Sequence, residues 1–196
     1  MKLGSKLLAL SVVAVMAATS LNAADTPKSK KRQTEAGLYV DSKEAMDFIN
    51  KNKDKLVFID VRTRPEVEYV GYTDLIDKNI PWHFKTWDKW NEKKHRFADK
   101  PKNDNFVADV EKVVKAKGLT KDNAIVLLMC RSGSRSAKAA NALYKAGFKQ
   151  PYTLVDGFEG GKSKKTKHRT VNGWKNAGNP WTYKLIKEKM YLPENN

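Results

Sequence analysis

The stretch LLMCRSGSRSAKAA, residues 127–140, holds the single cysteine of the chain, Cys130, where an aliphatic run gives way to Arg, Ser and Gly. A lone thiol in that setting has three chemical uses: a small buried hydrophobe, the nucleophile of a phosphatase, or a carrier of sulfur. The residues that follow it weigh against the first. Gly133, between Ser132 and Ser134, lets the backbone curl until successive N–H groups point inward, a concavity that suits an anion. A helix starting at the same point adds its positive end, and Arg131 and Arg135 add full charges. Such a cradle favours a charged sulfur, so a chemical role is expected for Cys130.

That geometry needs a strand ending just before Cys130 and a helix beginning just after it. NAIVLLM (123–129) is the most apolar strand candidate in the chain, and SGSRSAKAANALYKAG (132–147) carries Ala137, Ala140, Leu143 and Tyr144 on one helical face with Gly147 as its stop. In open α/β sheets ligands bind at this carboxyl end of a strand. Upstream, GLYV (37–40) reads as a short strand and DSKEAMDFINKN (41–52) as a capped helix. KLVFIDV (55–61) reads as a strand buried on both faces. TRPEVEYVG (63–71) is a short helix with Pro65 near its start, and KNIPW (78–82) another short strand. Residues 82–105 are aromatic and charged without a clear period, which predicts a long loop or irregular helix packed over the body. NDNFVADVEKVVKAKG (103–118) is an amphipathic helix, and PYTLV (151–155) a last strand. Alternating strands and helices predict a single α/β domain with a mostly parallel central sheet flanked by helices.

Residues 1–23 stand apart. Lys2 and Lys6 precede an apolar run from Leu7 to Ala18 and a small-residue exit ending at Ala23. The run is too short for a membrane span, which takes about 20 residues, and its flanks fit a secretory signal. Export, to a periplasm-like compartment, is the expectation, with no membrane span after cleavage. Residues 24–36 are polar and read as a mobile arm, and 184–196 as a C-terminal tail. The chain has 38 Lys and Arg against 22 Asp and Glu, a net charge of +16. Mostly lysine and widely scattered, this charge suits small anions or acidic partners. No nucleic-acid module accompanies it. One cysteine excludes an internal disulfide and leaves a thiol that is potentially reactive in an oxidising compartment.

Three ordered segments resemble the rhodanese (thiosulfate sulfurtransferase) family. CRSGSRS after an apolar strand looks like that family's active-site loop. FIDVRTRPEVEYVG followed by NIP resembles its upstream signature, and LVDGFEGG with NGWKNAGNPW its downstream Gly-rich and Trp-Gly segments. The likeness spans 37–183, broken by a basic insertion, KSKKTKHRT, at 162–170, and by Gly71-Tyr72 where the family often has Gly-His. It implies that Cys130 accepts the sulfur, that backbone amides of 131–135 (Arg131, Ser132, Gly133, Ser134, Arg135) bind the persulfide, and that Arg135 closes the loop. The implied reaction moves a sulfane sulfur from thiosulfate, or a similar donor held by Arg131, to cyanide or a thiol, without a cofactor. Cysteine phosphatases resemble the arrangement too, but the spacing from Cys130 to Arg135 is one residue shorter than theirs, which favours one extra sulfur atom over a phosphate. A persulfide carrier or anion-binding module serving a partner protein, and a thiol redox sensor, remain open alternatives.

The remaining candidates have structural readings. Asp60 and Arg62, at the end of a buried strand, suit a hydrogen-bonded anchor, and Glu66 suits a partner that orients Arg135. His83, His95 and His168 lack ligand spacing, so no metal site is expected; His83 could line the pocket but reads first as an ordinary packed histidine. The tryptophans, including Trp174 and Trp181, read as core and lid packing. The insertion reads as a solvated loop, with docking of an acidic partner protein as its functional alternative.

Overall fold

A computed structural model describes residues 24–98 and 101–192. The expected signal at 1–23 lies outside them. In chain order the elements are β1 (Tyr39–Val40), α1 (Ala45–Asn52), β2 (Leu56–Asp60), α2 (Arg64–Val70), β3 (Lys78–Asn79), β4 (Trp90–Asn91), β5 (Arg96–Phe97), α3 (Phe106–Ala116), β6 (Ile125–Met129), α4 (Ser134–Lys145) and β7 (Gln150–Leu154). Five strands form one sheet in the order β1-β7-β6-β2-β3, parallel at every pairing.

The two central strands explain the arrangement. Every residue of β2 and β6 is buried, as expected when helices cover both faces of a parallel sheet. Successive side chains go to opposite faces. Leu56, Phe58, Ile125 and Leu127 join Phe48 of α1, Val67 of α2 and Trp174. Val57, Ile59, Val126 and Leu128 join Phe106 and Val110 of α3 with Ala140 and Leu143 of α4. Cys130 continues the second set: the strand's alternation carries the thiol into the layer beneath α4.

Three segments differ from expectation. The described part of 82–105, expected as a long loop or irregular helix, is mostly loop, with a 3-10 turn at Glu92–Lys94; what was not expected is a small antiparallel hairpin around that turn, with Trp90 opposite Phe97 and Asn91 opposite Arg96. Strands of two residues are too short to show a period, so aromatic clustering was their only trace in the sequence. The 24–36 segment, read as a mobile arm, lies against α4: the Glu35 amide donates to Asn141 Oδ1 at 2.9 Å and the Glu35 carboxylate pairs with Lys145. Residues 184–192, read as a tail, are stitched to the body. Tyr72 Oη accepts from the Ile186 amide, Lys189 Nζ donates to the Asp74 carbonyl, and Met190 is buried in the core. Among the described residues no helix is long and apolar enough to cross a membrane.

Candidate active site

The loop after β6 is held from outside. The Phe158 amide donates to the Cys130 carbonyl at 2.8 Å, and the Glu159 amide to the Arg131 carbonyl at 3.0 Å. This close approach requires glycine at 157, because a Cβ there would fall 2.4 Å from the Cys130 carbonyl oxygen and 2.6 Å from the Ser132 nitrogen. Gly133 turns the chain into α4 at φ +93°, and a Cβ on it would meet the Val155 carbonyl oxygen at 2.0 Å. The turn points the Gly133 amide back at Cys130, its nitrogen 3.2 Å from Sγ. Ser136 sits beneath, its Oγ 3.5 Å from Sγ. That hydroxyl donates to the Gly133 carbonyl at 3.1 Å and accepts from Thr153 Oγ1 at 2.7 Å. The supporting roles of Ser136 and Thr153 were not read from the sequence. Ser136 stands one helical turn past Gly133, which is the signal that could have found it; Thr153 arrives from a neighbouring strand and left none.

Arg135 and Glu66 meet as a two-pronged pair. Arg135 Nη1 donates to Glu66 Oε2 at 2.6 Å and Nη2 to Oε1, a fork geometry among the stronger charged contacts. Glu66 also caps α2, accepting from the Thr63 amide at 3.0 Å and the Thr63 hydroxyl at 2.9 Å. Burial pushes the Glu66 carboxyl up, but the Arg135 bond and charge and the Thr63 donors outweigh it and hold the pKa at about 2, below the ordinary 4.5. A carboxyl whose folded pKa is depressed stabilises the fold above its unfolded pKa and loses that contribution as pH falls. Glu66 should therefore contribute on the order of 3 kcal/mol at neutral pH, lost between about pH 4.5 and pH 2. Glu66→Gln should lower the midpoint of urea unfolding at pH 7 and flatten the acid limb of a stability profile. A variant with the wild-type midpoint and acid limb would show that the pair does not hold the loop.

Asp60 and Arg62 lie fully buried at the end of β2. Arg62 donates through Nε and Nη2 to the Asp60 carboxylate, the shortest contact being 2.6 Å, and through Nη2 to the Gly71 carbonyl at 2.9 Å. Its guanidinium lies 3.9 Å from the centre of the Phe158 ring. Phe158 is the residue whose amide holds the Cys130 carbonyl, so the pair supports the loop through that ring.

A cleft of about 520 Å³ opens on Cys130. One wall is the loop, with Arg131, Ser132, Ser134 and Arg135, and another is Thr63, Pro65 and Glu66 from the start of α2. The third comes from the hairpin region: His83, Lys85, Trp87 and Arg96. Lys85, Arg96, Arg131 and Arg135 face one acid in this lining, Glu66, which Arg135 already neutralises. The Arg131 guanidinium, which no acid of the lining pairs, makes this end of the cleft suit anions. Trp87 and Trp90 pack edge-on against Phe97 at 5.2 Å and 5.3 Å, fixing the wall as one aromatic unit. His83, read first as an ordinary packed histidine, lines the cleft, and the sequence reading passed over Lys85, Trp87 and Arg96. Neither Trp174, wholly buried with Nε1 donating to the Pro180 carbonyl, nor Trp181 lines the cleft. His95 lies in the β4–β5 turn and His168 in the insertion. No group of three His, Cys, Asp or Glu among the described residues could hold a metal.

A single buried cysteine at the end of a central parallel strand, with an amide aimed at its sulfur and a cationic cleft over it, defines a thiol site built for anions. The rhodanese-like domain model matches residues 41–164. The chain is 34% identical over 142 residues to an uncharacterized protein, the RP600 homolog of Rickettsia rickettsii, covering 72% of this chain and 94% of that one. An uncharacterized protein of Rickettsia conorii, RC0915, matches to the same extent. Among solved structures, Rv0390 from M. tuberculosis superposes with a TM-score of 0.52 at 27% identity, over 74% of this chain and 97% of that one. The chain belongs to the rhodanese-like family.

Proposed function

We propose that the protein is a sulfurtransferase of the thiosulfate type that works through a persulfide on Cys130. The observation that carries the reading is the Gly133 amide 3.2 Å from Cys130 Sγ at the floor of a cleft lined by Arg131. Cys130, as thiolate, attacks the outer sulfur of thiosulfate; the sulfur–sulfur bond of the donor breaks, and sulfite leaves with the electron pair. Arg131 draws the dianion in and stabilises the charge gathering on the departing group, while the loop amides bind the new terminal sulfur. Cyanide or a thiolate then attacks that sulfur and restores the Cys130 thiolate, a two-step covalent cycle that needs no cofactor. The sequence of residues 1–23 supports export as the setting. The exposed lysines at 162, 164, 165 and 167 support an acidic protein as a further partner.

Steady-state turnover of thiosulfate with cyanide tests the reading. Arg131→Ala should lower kcat/KM for thiosulfate by roughly ten- to a hundredfold, the equivalent of one charged hydrogen bond, with little change in melting temperature. An unchanged kcat/KM would remove Arg131 from the reaction. Loading of one sulfur without turnover would support the carrier alternative.

A further inference from the structure

Arg32, Arg131 and Arg169 belong to three separate parts of the chain: the N-terminal segment, the Cys130 loop and the end of the insertion. The fold gathers them. Arg32 packs on the loop itself, its Cδ 3.3 Å from where a Cβ on Gly133 would sit. The insertion closes on itself through a bridge between Lys162 and Arg169, leaving its lysines outside while Arg169 reaches inward. Arg169 Nη1 donates to the Gly160 carbonyl at 2.5 Å, and the Gly160 amide donates to the Arg131 carbonyl at 3.2 Å. All three arginines are half-buried.

Like charges brought together in a partly dry place repel one another. The effect falls on Arg169, whose guanidinium is held below the ordinary arginine range by burial and by Arg131, then by Arg32 and Arg135, against the opposing pull of Glu159. Counter-charge from the protein is thin. Among the described residues Arg169 has Glu159 at 4.0 Å, while the side chains of Arg32 and Arg131 make no hydrogen bond or ion pair, and Arg131 Nε is buried without an acceptor. Guanidinium forks match the oxygen pairs of an oxyanion. A bound dianion would supply both the missing charge and the missing acceptor.

We propose that Arg32, Arg131 and Arg169 form a binding site for a small doubly charged oxyanion, next to the cleft on Cys130 and sharing only Arg131 with its lining. Its natural occupant is then the sulfite released in the first half-reaction; that identity, unlike the site, rests on the sulfur-transfer reading.

Sulfate is the probe, because it carries the required charge and oxygens and cannot react with Cys130. Titrated calorimetrically into the purified protein at constant ionic strength, with chloride as the balancing anion, it should bind. Arg32→Gln and Arg169→Gln should each weaken binding about tenfold, and Arg32→Lys should weaken it less than Arg32→Gln. Lys164→Gln and Lys165→Gln, exposed in the same insertion, should change it less than about twofold. The proposal is overturned by equal losses at the lysines, by no sulfate binding to the wild type, or by an affinity that depends on Arg131 but on neither Arg32 nor Arg169. Failure of the persulfide reading appears separately, as no gain of sulfur mass on Cys130, and leaves the sulfate result standing.

Discussion

Cys130→Ser should leave a folded protein that gains no mass from thiosulfate and turns over at a rate roughly a thousandfold or more below wild type. Wild-type protein, incubated with thiosulfate and then freed of it, should carry the mass of one additional sulfur atom, and cyanide should remove it. A serine hydroxyl does not ionise near neutral pH and is a poor nucleophile toward sulfane sulfur. The substitution is otherwise gentle. Sγ is nearly enclosed, 1% of the residue being exposed, and the Gly133 amide and Ser136 hydroxyl beside it accept an oxygen as a partner, so folding should survive. Equal mass gain in the variant would place the sulfur on another residue. No gain in the wild type, or Cys130-dependent release of phosphate from an aryl phosphate, would end the sulfur reading.

Asp60→Ala should cost about 3–5 kcal/mol of stability, the penalty for leaving one member of a buried ion pair without the other. Both side chains are fully buried, so water cannot replace the lost carboxylate. Arg62 would keep its bond to the Gly71 carbonyl and its place over Phe158, but Nη1 already lacks a partner and Nε would lose its own. Replacing both residues, as Asp60→Leu with Arg62→Leu, should recover part of the loss, because no unpaired charge remains. Denaturant unfolding at pH 7 measures both variants. A loss under about 1 kcal/mol for Asp60→Ala, or intact stability with no sulfur loading, would move this pair from scaffold to chemistry.

The sequence disclosed the parts whose physics is local. β2 and β6 are uninterrupted apolar runs because helices cover both faces of the sheet, and α3 shows its apolar stripe because one face alone is buried. The turn after Cys130 was legible for the same reason: Gly133, the flanking serines and the helix start are consecutive, so the aim of the Gly133 amide at the sulfur is a short-range property. The Arg135–Glu66 pair joins two such segments: the family resemblance implied that Arg135 closes the loop, and Glu66 was read as the partner that orients it. What stayed hidden depends on how distant segments cross. Arg96 reaches the cleft on a hairpin whose strands are two residues each, and Trp87 on the irregular segment leading into it. Arg32 arrives on a segment whose polar composition suggested no docking, and Arg169 looked like one more cation in a basic run.

The sheet order has a consequence for the growing chain. Among the described residues β1 pairs only with β7, so the first of these strands to be synthesised waits for the last of them. At about 5–20 residues per second, the stretch between Val40 and Gln150 takes on the order of 5–20 s to emerge, and throughout it the backbone of β1 has no partner. A long apolar edge left open for that time would recruit other nascent chains. β1 offers two residues, Tyr39 and Val40, enough to close the sheet when β7 arrives and too few to template a stranger.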